Sequence, residues 1–262
     1  MRALHTASTG MMAQELNVQV ISNNIANMRT TGYKRQRAEF QDLLYQHVRR
    51  VGTQTSEQGT VLPVGIELGS GVKTAGTPRV MSQGNLLPTS KDFDLAIRGE
   101  GFFKIGLPDG RTAYTRDGSF ELDAQGRIVT SQGYVLQPGI TVPQHAQAIT
   151  INQQGQVSVS LPGQTTPSIV GQIELAIFIN KAGLQSVGDN LYLETTASGT
   201  PQSGLPNTDV FGNLQQGNLE QANVEAVNEI SDLIAAQRAY EMNAKVITAA
   251  DQMLQSTSQM LR

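Results

Sequence analysis

The sequence predicts a modular α+β protein, with a central all-β domain held between long N- and C-terminal helices that form a coiled-coil layer. Three observations carry this. Apolar residues recur at sevens at both ends of the chain, the pattern between the ends changes to a period of two, and turn residues punctuate the middle at short intervals. The expected partition is residues 1–33 with 220–262 as the helical assembly domain, 34–90 with 205–219 as an extended connector, and 91–204 as the β domain.

At the N-terminus no proline occurs from Leu4 to Met28, and Leu4, Met11, Val18 and Ile25 stand seven apart, flanked by Ala7 and Ile21. This is an amphipathic helix, stopped by the cluster Asn27, Thr30, Thr31 and Gly32, with Gly32 suited to a left-handed position. At the other end Ala226, Leu233, Tyr240, Ile247, Leu254 and Leu261 form a second heptad row, with Ile230 and Ala244 between. Gln237, Asp251 and Ser258 then occupy the intervening row and weaken the seam. In the middle, Phe93, Leu95 and Ile97, then Ile173, Leu175, Ile177 and Ile179, alternate as strands. Pro108-Asp109-Gly110, Asp117-Gly118, Gln125-Gly126 and Gln132-Gly133 mark reversals, which together indicate a barrel or sandwich.

Composition limits what such a chain can do. It has 262 residues with 39% apolar, 5% aromatic, no tryptophan and no cysteine. Disulfides, Cys-ligated zinc and sulfur redox chemistry are excluded. His5, His47 and His145 are scattered without metal-ligand spacing, Gly99-Glu100-Gly101 lacks the rest of a dinucleotide loop, and Asp92 with Asp94 reads as a solvated strand start. No catalytic residue, cofactor or metal is expected. Arg29, Lys34, Arg35, Arg37, Arg49 and Arg50 make a local basic run, but the net charge of −3 and the lack of a recognised module argue against nucleic acid. No signal-peptide pattern or membrane span is read at the N-terminus or elsewhere, so neither Sec export nor membrane insertion is expected.

The ends are oppositely charged. Residues 1–50 carry seven basic groups against three acidic, and residues 220–262 six acidic against three basic, which favours pairing between the ends within or between subunits. Ordering two long helices costs more than their few apolar side chains return, so neighbouring chains are the natural source of the missing burial.

Specific residues then become informative. Ile21-Ser22-Asn23-Asn24-Ile25-Ala26-Asn27 followed by Thr30-Thr31-Gly32-Tyr33-Lys34 resembles the N-terminal signature of bacterial flagellar rod and hook proteins, with Met28-Arg29 where Val-Asn is usual. Gln216-Gly217-Asn218-Leu219-Glu220 with Asn223-Val224, then Gln237-Arg238-Ala239-Tyr240-Glu241, resembles the C-terminal signature. Asp94 to Phe103 and Tyr114 to Phe120 are similar to the β-domain hallmark, and Lys34 to Gln46 with the continuation to Gly71-Val72 resembles the distal-rod branch rather than the hook or proximal-rod branches.

The resemblance implies a structural subunit of the rod in the flagellar basal body. It implies export through the flagellar type III apparatus without a cleaved signal and helical stacking with copies of itself into a rigid hollow drive shaft across the periplasm. The implied neighbours are proximal rod proteins, hook or hook-rod junction proteins, and the surrounding ring or bushing proteins. The expected assembly interface is Leu4, Met11, Val18, Ile21, Asn23, Asn24, Ile25, Asn27, Leu233, Arg238, Tyr240, Ile247, Leu254 and Leu261. The Asn side chains suit crowded helix ends because an amide both donates and accepts. Gln54, Glu57, Val61, Leu62, Ile66 and Leu68 are the expected connector contacts to a neighbour.

Overall fold

The computed structural model describes residues 2–49, 51, 64–163, 166–208 and 210–260. Its contacts divide the chain into two units, one of residues 1–25, 36–78 and 225–262, the other of residues 26–35 and 79–224. This differs from the expected partition. Residues 36–78 of the expected connector fall with the helices, and residues 79–90 and 205–219 fall with the β domain.

In the first unit, helix α1 runs Arg2–Ala26 and helix α2 Ala226–Met260, 25 and 35 residues long, or about 38 and 53 Å at 1.5 Å per residue. Two contacts fix how they run. Asn24 Nδ2 donates to Glu229 Oε2 at 3.1 Å, and a Cβ on Gly10 would stand 3.0 Å from the Asn243 side chain. Both pairs are fourteen residues apart, rising along α1 and falling along α2, so the helices are antiparallel and touch at heptad spacing. Gly10 permits the close approach because it has no side chain to interpose.

The buried face of α2 corrects the expected seam. Glu229, Ala236 and Ala250 are buried, and Leu233, Asn243 and Ile247 are partly so. The row beside Leu233 and Ile247 therefore lies three residues on, at 236, 243 and 250. Gln237, Asp251 and Ser258 are exposed. These polar residues do not weaken the seam, because the helical turn carries them off it.

The remaining described residues of this unit form two antiparallel pairs, Glu39–Asp42 with Val72–Gly76 and Tyr45–Arg49 with Ile66–Gly69. Val72 N donates to Thr9 Oγ1 at 3.4 Å, which ties the first pair to α1.

Among the described residues, every strand pair of the second unit is antiparallel, and one short 3-10 turn, Lys181–Gly183, interrupts the β structure. Its largest sheet has nine strands. Strand Phe102–Gly106 is the hub: one edge pairs with Thr112–Thr115, and the other is shared between Leu175–Ile177 and Val135–Leu136. A three-stranded sheet of Ala148–Ile151, Gln156–Ser160 and Ser168–Gln172 adjoins it in sequence. Strand Leu95–Arg98 pairs with Asn213–Gln216, and Leu86–Pro88 with Asn218–Glu220. Leu214 is 1% exposed within the main core, so a β domain ending at residue 204 would omit a core side chain.

Successive side chains on a strand face opposite ways, and here both faces are covered. Phe103, Ile105 and Leu175 enter the main core with Leu95, Ile97 and Leu214. Their sequence neighbours Phe102 and Ala176 enter a second core with Tyr114, Phe178, Leu184 and Tyr192. The Phe102-Phe103 pair thus feeds two cores. Edge-to-face contacts knit the second, at 6.0 Å for Phe102–Phe178 and 4.8 Å for Tyr114–Phe178. The expected alternation from Ile173 to Ile179 holds for Ile173 and Leu175, but Ile179 is 86% exposed beyond the strand end.

Burial pushes the Tyr114 phenol up to about 12, with the Glu194 carboxylate adding to the shift. Unfolded, Tyr114 loses its proton near pH 10, whereas the folded chain keeps it until about 12. The folded state therefore binds more protons in that window, and stability falls as pH rises through it. Tyr114→Phe is expected to remove this component, worth on the order of 2 kcal/mol at about 1.4 kcal/mol per pH unit. Urea titrations of both proteins at about pH 9 and about pH 11.5 check it, and parallel losses in the two proteins would refute it.

Candidate assembly interface

The interface residues read from sequence separate into three groups. Ile21 and Asn24 are buried, and Leu4, Met11, Val18, Ile25, Asn27, Leu233 and Ile247 are partly buried. Asn23, Arg238, Tyr240 and Leu254 are exposed, with Tyr240 at 43% and Leu254 at 45%. Leu261 lies outside the described residues. Leu254 shares the seam face but stands past the start of α1, since the antiparallel register set by Gly10 and Asn243 places residue 2 opposite residue 251.

Asn24 does what an amide at a crowded helix end was expected to do. Its Nδ2 donates to Gln36 O at 2.9 Å and to Glu229, while its Oδ1 accepts from Gln36 N at 2.9 Å. Asn27 Oδ1 accepts from Thr30 Oγ1 at 3.2 Å in the turn that ends α1. Gly32 follows at φ +67°, where a Cβ would meet the Arg116 backbone at 2.7 Å. The left-handed stop anticipated there is present.

α2 carries a second apolar stripe that sequence reading did not resolve, and Ile230, expected on the seam, belongs to it. Val227, Ile230, Ile234, Met242, Val246, Met253 and Met260 are 45–86% exposed, at steps of three, four, seven and eight residues that keep them on one side. At about 100° per residue this side lies opposite the face that meets α1. The heptad signal drew attention to one face, whereas a stripe with longer gaps follows the 3.6-residue turn instead.

The strand pair Tyr45–Arg49 and Ile66–Gly69, which also carries the His47–Glu67 pair, leaves apolar side chains exposed on it and just before it. Leu44, Tyr45, Val48, Ile66 and Leu68 are all at least 44% exposed. Of the expected connector contacts, Ile66 and Leu68 lie on this pair, and Gln54, Glu57, Val61 and Leu62 lie outside the described residues.

A buried ionic cluster in the second unit was not anticipated. Glu220, 0% exposed, accepts from Lys34 Nζ at 2.6 Å and Gly84 N at 2.9 Å on Oε1, and from Arg116 Nη1 at 3.3 Å on Oε2. Lys34 also donates to Ser82 O at 2.8 Å, and Arg116 to Gly99 O at 2.7 Å, with its guanidinium over the Phe102 ring. Burial holds the Lys34 ammonium and the Arg116 guanidinium below their ordinary values, against the opposing pull of Glu220. Removing one partner of such a group costs about 3–5 kcal/mol. The buried Lys34 is not part of a basic surface, and Arg37 is paired with Glu39 at 2.6 Å, so the local basic run does not present itself as a continuous patch. The signal available in the sequence was the opposite charge of the chain ends, realised here as Lys34 with Glu220.

Three family models match the chain. Residues 4–34 match the flagella basal body rod protein model, residues 96–159 the flagellar hook protein FlgE/F/G D1 domain, and residues 215–260 the flagellar basal body rod FlgEFG protein C-terminal model. Lys34, Arg116 and Glu220 come one from each. The flagellar basal-body rod protein FlgG of Caulobacter vibrioides is 56% identical over 260 residues, covering 99% of each chain. The chain belongs to the FlgG family of flagellar rod proteins. The FlgG protein of Agrobacterium fabrum is 48% identical over 262 residues and the full length of each chain. The flagellar hook protein FlgE of Helicobacter mustelae is 41% identical over 138 residues, 52% of this chain and 30% of that one. This FlgG-family chain is a structural subunit of the flagellar distal rod, located in the flagellar basal body.

Proposed function

We propose that this rod protein polymerises with copies of itself into a rigid hollow tube, the drive shaft that carries motor torque to the hook and passes exported subunits. The observation that supports this best is the uncovered apolar stripe of α2, opposite the face already used by α1. A helix apolar on two faces needs cover on both, and a second copy supplies it. The exposed Ile66 and Leu68 strand pair gives each subunit a further apolar surface for a neighbour.

The same reading makes proximal rod proteins the neighbours at one end of the tube, hook or hook-rod junction proteins those at the other, and ring proteins the surrounding bushing. The tube crosses the periplasm, and its subunits arrive through the type III export apparatus. The role is mechanical, with no catalytic step, cofactor or nucleic acid. Hook identity is disfavoured because the hook relative aligns with only about half of this chain, whereas FlgG proteins align along all of it.

Electron microscopy of purified, concentrated protein tests the proposal: tubes are expected, and dispersed monomers under every salt and temperature tried would refute it. In dilute monomer the first unit lacks its partners, so limited proteolysis is expected to trim residues 36–78 and 225–262 first and leave a core within 79–224. Simultaneous loss of both units would contradict this.

A further inference from the structure

We propose that Glu220 is a positioning residue, the centre of a joint that fixes where the C-terminal segment and both ends of the connector leave the second unit. Four passes of the chain meet at this one carboxylate, all within that unit. Lys34 brings in the segment after α1, Gly84 the return from the connector, Arg116 the main sheet, and Glu220 itself the strand before α2.

Main-chain bonds repeat the same convergence. Gly32 N donates to Glu220 O at 2.7 Å, Gln221 N to Asn85 O at 2.9 Å, and Val80 N to Arg35 O at 2.9 Å. Asn223 closes the arrangement, its Oδ1 accepting from Arg35 N at 2.7 Å and its Nδ2 donating to Val80 O at 2.8 Å. Of the four residues at which the chain crosses out of this unit, 26, 35, 79 and 224, the last three are therefore each within a few residues of one bonded cluster.

The chemistry suits a joint better than a stabiliser. Two cations and one anion in the interior carry a desolvation cost that an apolar filling would avoid, and what they provide instead is direction. A carboxylate with four lone-pair sites accepts from several strands at fixed angles, which dispersion contacts between methyl groups do not impose. A subunit that passes torque from its end segments to its β unit needs such a fixed exit; this purpose, though not the joint itself, rests on the rod reading.

The test uses the full-length chain, whose lack of cysteine lets paired spin labels be placed without background. Labels at exposed Arg29 and Gln221 report the joint, and labels at exposed Glu121 and Gln185, on opposite edges of the nine-stranded sheet, report the sheet. In Glu220→Gln, which keeps size and shape, and in Lys34→Met, the 29–221 distance distribution is expected to broaden while the 121–185 distribution stays as in wild type. Hydrogen exchange at the Gly32, Gly84 and Gln221 amides should quicken about tenfold or more, with Ile105 and Ala113 unchanged. An unbroadened 29–221 distribution, or equal broadening of both pairs from general loosening, would overturn the joint. Tube formation by the wild type is scored separately, so a subunit that shows the joint but forms no tubes refutes the rod reading alone.

Discussion

Leu233→Asp and Ile247→Asp are expected to abolish rod formation and swimming while leaving the second unit folded. Both side chains lie on the face of α2 that meets α1, Leu233 between buried Glu229 and Ala236 and Ile247 between buried Ala236 and Ala250, and both belong to the first unit. A carboxylate placed there replaces an apolar contact with α1, and burying it costs several kcal/mol. The helices separate, and the second stripe of α2 is no longer presented at a fixed position to a neighbour. Gln237→Glu, four residues from Leu233 but exposed, is the control and should assemble normally. Tubes from either Asp variant would show that the seam is misplaced, and loss of the β unit's melting transition would show that the units are not independent.

The second large effect is mechanical. Deleting residues 53–68 should leave export and helical stacking in place, because the helices remain, but yield tubes that bend. The deletion removes the apolar Ile66 and Leu68 and strips Tyr45–Arg49 of its antiparallel partner, so this arm can no longer lie on a neighbour as an ordered apolar pair. Each lost contact between subunits lets them slide more easily under axial compression. Cryo-electron microscopy of tubes from the deletion strain decides the matter: curved tubes place stiffness in this arm, and tubes as straight as wild type exclude it.

Much of the architecture was legible because it rests on local rules. The helices follow from heptad spacing without proline, the stop at Gly32 from turn chemistry, and the β region from short strands between Asp-Gly and Gln-Gly reversals. What was not legible depends on pairing across long separations. Periodicity placed Leu233 and Ile247 on a seam, yet choosing between the row at 236 and that at 237 required knowing where α1 lies. Phe102 and Phe103 read alike until the two faces of their strand are seen to carry separate cores. Leu214 sits in a stretch rich in Gly, Asn and Gln, and only its pairing opposite Ile97 makes it a core residue. Lys34, Arg116 and Glu220 stood in three recognised segments, but nothing in any one of them says that it meets the others.

The pairing of Lys34 with Glu220 also sets a clock. They are 186 residues apart, so a ribosome adding about 5–20 residues per second makes Lys34 wait on the order of 10–40 s for its carboxylate. Until then the strand Asn213–Gln216 has not reached Leu95–Arg98, and the main core lacks Leu214. In a nascent chain of this design the main core is therefore completed, and its ionic cluster closed, only after residue 220 has been made.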